Sequence, residues 1–203
     1  GDFVRLLETL RARADYAHLC AERDRRRAAG EVVGIGICLY IEPCGQGWES
    51  AAVTVRPDGT FVATTGASAQ GQGRETAFAQ IVADALGTTP DVVTVRQGDT
   101  STAASGLGAL ASRSTAIGGS AMLRACEGLR SQLAEAAAGL LQCAPEAIRF
   151  QPGRLYRGDT GASIALDDLS RQLHGQGEAG ETALTCSTVY HADGEAWASG
   201  ACL

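Results

Sequence analysis

The chain has 203 residues, 45% of them hydrophobic, enough for one sizeable core or two small subdomains sharing one. A net charge of -6 and an aromatic content of 5% exclude the basic surface and the stacking platform of a nucleic-acid binder. No apolar run is long enough to span a membrane and no basic-then-apolar start reads as a signal peptide, so a soluble, cytoplasmic protein without membrane contact is expected.

Residues 2–30 read as two helical pieces. Asp2 is placed to cap the first, Asp15 to restart the second, and Gly30 to stop it. From Val32 the texture becomes β-branched and almost continuously apolar, which predicts a buried strand over residues 32–42. Residues 51–65 alternate on either side of Pro57-Asp58-Gly59 and predict a hairpin. Residues 74–86 place Phe78, Ile81, Val82, Ala85 and Leu86 on one helical face, and Gly87 supplies the stop.

A strand over residues 92–96 and an irregular Gly/Ser/Ala/Thr stretch over 98–111 follow. A long helix is then expected from Ser114 to Gln142, with Met122, Cys126, Leu129, Leu133, Ala137 and Leu140 as its apolar stripe. Gly118-Gly119 marks either a weak spot in that helix or a place of close packing. The last quarter reads as a hairpin around Pro152-Gly153, a short helix near 166–173, a polar Gly-rich loop, and strands near 183–190 and 195–202.

The β-β-β-α-β-α order followed by more β predicts an α+β fold, with helices packed on a mixed β-sheet. Its expected divisions are a helical lead-in (1–30), an α+β subdomain (31–145) and a smaller α+β portion (146–203).

Seven cysteines without a C-x-x-C pair read as free thiols. Cys20, Cys38, Cys126, Cys143 and Cys186 lie in apolar stretches and are expected as small core residues. Cys38 and Cys44 have no histidine nearby, so no metal ligand set is assigned. His18, His174 and His191 lack a partner at a telling spacing and are read as surface residues.

Two loops carry the chemistry. Gln70, Gly71, Gln72 and Gly73 run from a strand into a helix, whose first N–H groups are unpaired and carry partial positive charge. The glycines let a ligand approach the backbone, and the glutamine amides suit a ligand rich in nitrogens and oxygens. The alternative is a tight, solvent-facing turn. The second loop, residues 98–115, also ends at a helix start. There Ala111, Ser112, Arg113, Ser114 and Thr115 bring hydroxyls, N–H groups and a guanidinium, the makings of an anion site. Its alternative is a capped helix with a loose approach. An independent nucleotide-binding domain is disfavoured, because the first loop has no Lys and no acidic residue stands at Rossmann spacing.

Gly34-Ile-Gly, Pro57-Asp58-Gly59, Gly71-Gln-Gly-Arg-Glu-Thr-Ala-Phe-Ala-Gln80, Asp84-Ala-Leu-Gly87, Gly98-Asp-Thr100 and Ala111-Ser-Arg-Ser-Thr115 follow one another in order. In this the chain resembles the molybdenum-binding large subunits of the xanthine dehydrogenase / aldehyde oxidase / carbon monoxide dehydrogenase family, over nearly its whole length. The resemblance implies a molybdopterin-cofactor-binding fold for residues 31–145. It implies that Gln70, Gly71, Gln72, Gly73, Ala111, Ser112, Arg113, Ser114 and Thr115 grip the pterin and phosphates of a molybdenum–molybdopterin cofactor, in its cytosine dinucleotide form.

The implied reaction is hydroxylation of an aldehyde or N-heterocycle carbon with water. The implied partners are iron–sulfur and FAD subunits or domains and the remainder of the molybdenum subunit, with room for a homodimer of the assembly. The family's large subunits are several times longer and place their base, a Glu in a Gly-x-Gly-Glu context, near the far C-terminus. Gly175-Gln-Gly-Glu178 has that form but stands too early, and neither Glu178 nor Glu181 is assigned a catalytic role. The chain therefore reads as a fragment with no catalytic residue of its own. The other reading is a non-catalytic fold relative that binds no cofactor by itself.

Overall fold

The structure, a computed structural model, describes residues 1–102, 105–175, 184–194 and 196–203. In chain order its elements begin with α1 (Phe3–Arg13), α2 (Tyr16–Ala28), β1 (Cys38–Cys44), β2 (Trp48–Val55), β3 (Phe61–Thr65), α3 (Arg74–Leu86) and β4 (Val93–Gln97). A π-helical turn (Ser114–Gly118) then runs into α4 (Gly119–Leu141), followed by β5 (Ile148–Gln151), β6 (Arg154–Arg157), β7 (Ser163–Ala165), α5 (Leu166–Gly175), β8 (Thr185–His191) and β9 (Ala196–Cys202). These elements are α+β, with helices on a mixed sheet. Compact units run Gly1–Cys44 with Glu195–Leu203, and Gly45–Gly194. The boundaries differ from divisions at 30 and 145 because β9, last in the chain, returns to pair with β1.

In the first unit the Asp2 carboxylate accepts the Arg5 N–H at 3.0 Å and the Asp15 carboxylate accepts that of His18 at 3.4 Å, so each helix begins at its cap. The strand expected over residues 32–42 is corrected in extent and burial. It starts only at Cys38, and Leu39, Tyr40 and Ile41 stand about half exposed. An apolar run carries no record of which side will be covered, and β1 has one ladder partner, the antiparallel β9.

That ladder sets Cys38 directly opposite Cys202, both free and exposed. Opposed residues of an antiparallel pair sit roughly 4.5–5.5 Å apart at Cα, within disulfide range. Mild oxidation with diamide is expected to join them, and peptide mapping that instead paired either with another cysteine would contradict this register.

The second unit holds a four-stranded sheet in the order β4-β3-β2-β8, antiparallel except for the parallel β3–β4 pair. Strand β2 alternates strictly, turning Glu49, Ala51, Val53 and Val55 inward. Against that face pack α3, through Phe78 and Val82, and α4, through Met122, Cys126, Leu129 and Leu133. Leu140 leaves the expected stripe and is half exposed; Ala137 and Ala138 continue the buried face. The small antiparallel sheet β5-β6-β7 joins the same core through Ile148 and Leu155.

The hairpin turn is locked by Asp58, whose carboxylate accepts the Thr60 N–H and hydroxyl. Gly118 and Gly119 mark close packing. A Cβ at Gly118 would lie 3.2 Å from Ala67 and 3.3 Å from Phe78, and one at Gly119 would lie 3.1 Å from Ile81. Of the cysteines only Cys126 is fully buried; Cys143 and Cys186 are half-buried and pack against the core, Cys20 is half-buried, and the expectation of core thiols is corrected at Cys38, which is exposed. His18 and His191 are exposed, whereas His174 is half-buried with Nδ1 2.7 Å from the Ser170 carbonyl. No helix among the described residues is long and apolar enough to cross a membrane.

Candidate functional site

Because β3 and β4 run parallel in the register Thr65↔Gln97, their carboxyl ends lie side by side. From those ends leave the two Gly-rich loops, and each loop enters a helix: 66–73 into α3, and 98–113 into the π-turn that opens α4. Both approaches therefore meet at one edge of the sheet, where open α/β architecture places ligands. Gly66, opening the first loop, abuts Ser105 and Gly106 of the second, and Ala67 packs on the turn at Gly118.

In the first loop Gly71 and Gly73 hold φ of 96° and 72°, a left-handed conformation that an L side chain rarely adopts. Gly73 caps α3 without any side-chain hydrogen bond, so the first-turn N–H groups have no capping side chain. Around both glycines the space that a Cβ would take is open. Gln70, Gln72 and their two glycines are all exposed, and the Gln72 side-chain oxygen accepts the Gln70 N–H at 2.5 Å, folding the loop on itself.

In the second loop Ala111 and Ser112 are both left-handed, with φ of 45° and 48°. Two consecutive non-glycine residues in that region are an unusual, costly arrangement, of the kind concentrated at ligand-holding turns. Ser112 and Thr115 are exposed and Ser114 is half-buried.

Arg113 points the other way. It is 1% exposed, and its guanidinium donates to Glu49 Oε2 at 2.8 Å, to the Gln46 carbonyl at 2.9 Å, to the Gly108 carbonyl at 2.7 Å and to the Trp48 carbonyl. Its charge is spent on shaping the loop from within. What the end of the second loop presents outward is backbone and hydroxyl, beside the exposed side chains of Leu107 and Leu110.

Glu49 and Arg74 are buried charged residues beside these loops, and motif reading assigns neither a role. Glu49 is 0% exposed, and its other oxygen accepts the Ser50 N–H at 3.1 Å. Arg74, first residue of α3, is 2% exposed and donates from Nη1 to the Ser68 carbonyl at 2.6 Å; its Nε is buried with no partner. Burial pulls the Arg74 guanidinium below its ordinary value, and the Glu49 charge partly offsets this. Glu49 does leave a signal in the sequence. It falls in phase with Ala51, Val53 and Val55, so strict alternation buries it and a buried carboxylate calls for a cation.

Between the loops lies a cleft of about 360 Å³. Its walls are Thr65, Gly66 and Ser68 on one side, and Asp99, Thr100 and Ser105 to Gly108 on the other. None of the nine residues singled out from sequence lines it; the same loops do, a few positions upstream. The Ser101 hydroxyl and N–H hold the Asp99 carboxyl below the usual carboxylate range. Gly175-Gln-Gly-Glu178 and Glu181 fall, apart from Gly175, outside the described residues. No group of His, Cys, Asp and Glu able to hold a metal ion occurs among the described residues.

The molybdopterin cofactor-binding domain family matches residues 9–202. The chain is 31% identical over 196 residues to the carbon monoxide dehydrogenase large chain of Hydrogenophaga pseudoflava, covering 89% of this chain and 24% of that one. It is 30% identical over 166 residues to the nicotine 6-hydroxylase large subunit of Paenarthrobacter nicotinovorans, covering 75% of this chain and 20% of that one. Among solved structures, reconstituted CO dehydrogenase from Oligotropha carboxidovorans superposes with a TM-score of 0.69 and 26% identity, over 99% of this chain and 28% of that one. Quinoline 2-oxidoreductase from Pseudomonas putida 86 gives 0.67 and 26%, with the same coverage. The chain thus spans about a quarter of the length of these relatives. With the matched region running from α1 to β9, it belongs to the molybdopterin cofactor-binding domain family and corresponds to one segment of the molybdenum-binding large subunits of the xanthine dehydrogenase group.

Proposed function

We propose that this chain supplies two of the loops that grip a molybdenum–molybdopterin cofactor, in its cytosine dinucleotide form, within a water-using hydroxylase of aldehyde or N-heterocycle carbons. One observation carries the reading: the parallel β3–β4 pair delivers two Gly/hydroxyl loops to one sheet edge, and the first enters a helix that no side chain caps. The site fits the group. An uncapped helix start, left-handed glycines with open space before them and a buried Nε without a partner together ask for an acceptor-rich ligand.

Gln70, Gly71, Gln72 and Gly73 would hold it through backbone N–H groups and amides. Ala111, Ser112, Ser114 and Thr115 would hold it through backbone and hydroxyls, with Arg113 keeping that loop in shape. The Asp99 carboxylate on the cleft wall favours the donor-rich pterin ring there over a phosphate. When bound, the cofactor supplies two-electron oxidation with oxygen taken from water. The protein's part is binding, orientation and exclusion of bulk water. Iron–sulfur and FAD subunits or domains and the rest of the large subunit would complete the enzyme, in the cytoplasm and in one or two copies.

Molybdenum and phosphorus per chain, measured by mass spectrometry on the holoenzyme, test the reading. Gln72→Ala is expected to leave the unfolding midpoint nearly unchanged and to weaken cofactor retention roughly fivefold, the worth of one hydrogen bond of about 1 kcal/mol. Unfolding of the variant with normal cofactor content would remove this loop from the site.

A further inference from the structure

We infer that Glu49 is the positioning residue that sets the two loops against each other, acting through Arg113 and through packing rather than by touching a ligand. The inference rests on the cofactor reading of those loops. Glu49 is the one buried carboxylate among the described residues, on a strand face otherwise made of Ala51, Val53 and Val55. A fourth apolar residue would serve the core at least as well, because desolvating an ion pair costs about what the pair returns. The charge therefore needs another explanation, and its contacts give one.

A single carboxylate touches both loops and the sheet. Oε2 takes Arg113 Nη1 at the end of the second loop, 2.8 Å away. Oε1 takes the Ser50 N–H and is tied to β2. Gly66, the first residue of the first loop, and Gly106, within the second, both press against that carboxylate, and a Cβ at either would overlap it. Arg74, at the start of α3, lies in its field. The Ser50 hydroxyl, next along the strand, donates to the Ser105 carbonyl and pins the second loop beside it. The spacing of the two helix entrances is thus fixed before any ligand arrives, and such preorganisation raises affinity by lowering the ordering cost of binding.

The test uses the holoenzyme, with release of molybdenum and phosphorus on warming and amide hydrogen exchange as readouts. Glu49→Gln keeps the shape and removes the charge. Glu49→Asp keeps the charge and draws the carboxylate back from Arg113 and from both loops. Both are expected to speed cofactor release at least tenfold, as about 1.4 kcal/mol of lost affinity would. Both should also raise exchange in residues 66–76 and 105–116, with α4 exchange at 122–137 unchanged.

Release and loop exchange at wild-type rates from loaded variants would overturn the role of Glu49 while leaving the cofactor reading intact. A uniform rise in exchange that includes α4, or failure of both variants to fold, would make Glu49 a residue of the core and overturn it as well. Wild-type holoenzyme holding neither molybdenum nor pterin phosphorus would instead remove the reading on which the inference stands.

Discussion

Arg113→Ala is expected to lower the free energy of unfolding by about 3–5 kcal/mol, the cost of leaving a buried charge without its partner. The substitution strands Glu49, which is 0% exposed, and removes the donor from the carbonyls of Gln46, Trp48 and Gly108. Domains are stable by roughly 5–15 kcal/mol, so the loss takes a large share of the whole. Arg74 is the cation left to answer Glu49, and its Nη1 is already given to the Ser68 carbonyl.

Arg113→Lys should fall between wild type and Ala. It restores a charge near Glu49, but an ammonium cannot repeat a planar fork that reaches one carboxylate and three carbonyls. Urea denaturation of the three proteins reads the order. An alanine variant within about 1 kcal/mol of wild type would show that the pair contributes nothing net, as exposed pairs often do not.

The second large effect is alkaline. Burial pushes the Cys126 thiol up from its ordinary 9.0 to about 12, because the core where α4 meets the sheet does not solvate a thiolate. Below pH 9 both folded and unfolded chains hold the proton and the thiol contributes no pH dependence. Between 9 and 12 the unfolded chain releases it while the folded chain keeps it, so stability falls as pH rises, by about 1.4 kcal/mol per pH unit.

Cys126→Ala removes this slope, though it costs packing at neutral pH. Unfolding free energies measured in urea from pH 8 to 11 should therefore converge for the two proteins as pH rises. Parallel curves would mean that the thiol is not held protonated by burial. The same burial predicts that Cys126 resists alkylation in the folded chain while the exposed Cys38 and Cys202 react.

What the amino-acid order determined by itself is whatever is settled within a few residues. Asp2 caps α1 and Asp58 closes the hairpin because each carboxylate reaches an N–H two or three positions on. Helix α3 begins at Arg74 and ends at Leu86 because glycines with left-handed backbone flank it, and the stripe of Phe78 and Val82 turns inward at helical spacing. The two loops were legible too, since glycines, amides and hydroxyls ahead of a helix are local features.

Only the tertiary structure decided that the loops share an edge, which follows from the parallel pairing of β3 with β4. It also turned Arg113 inward, because its partner stands 64 residues earlier on a strand. And it left β1 half exposed beside β9, a strand more than 150 residues away, although the apolar run had promised burial. Local hydrogen bonds and side-chain periodicity write themselves into neighbouring residues. A long-range ion pair or a strand partner is chosen by what the whole chain brings within reach, and no short stretch records that choice.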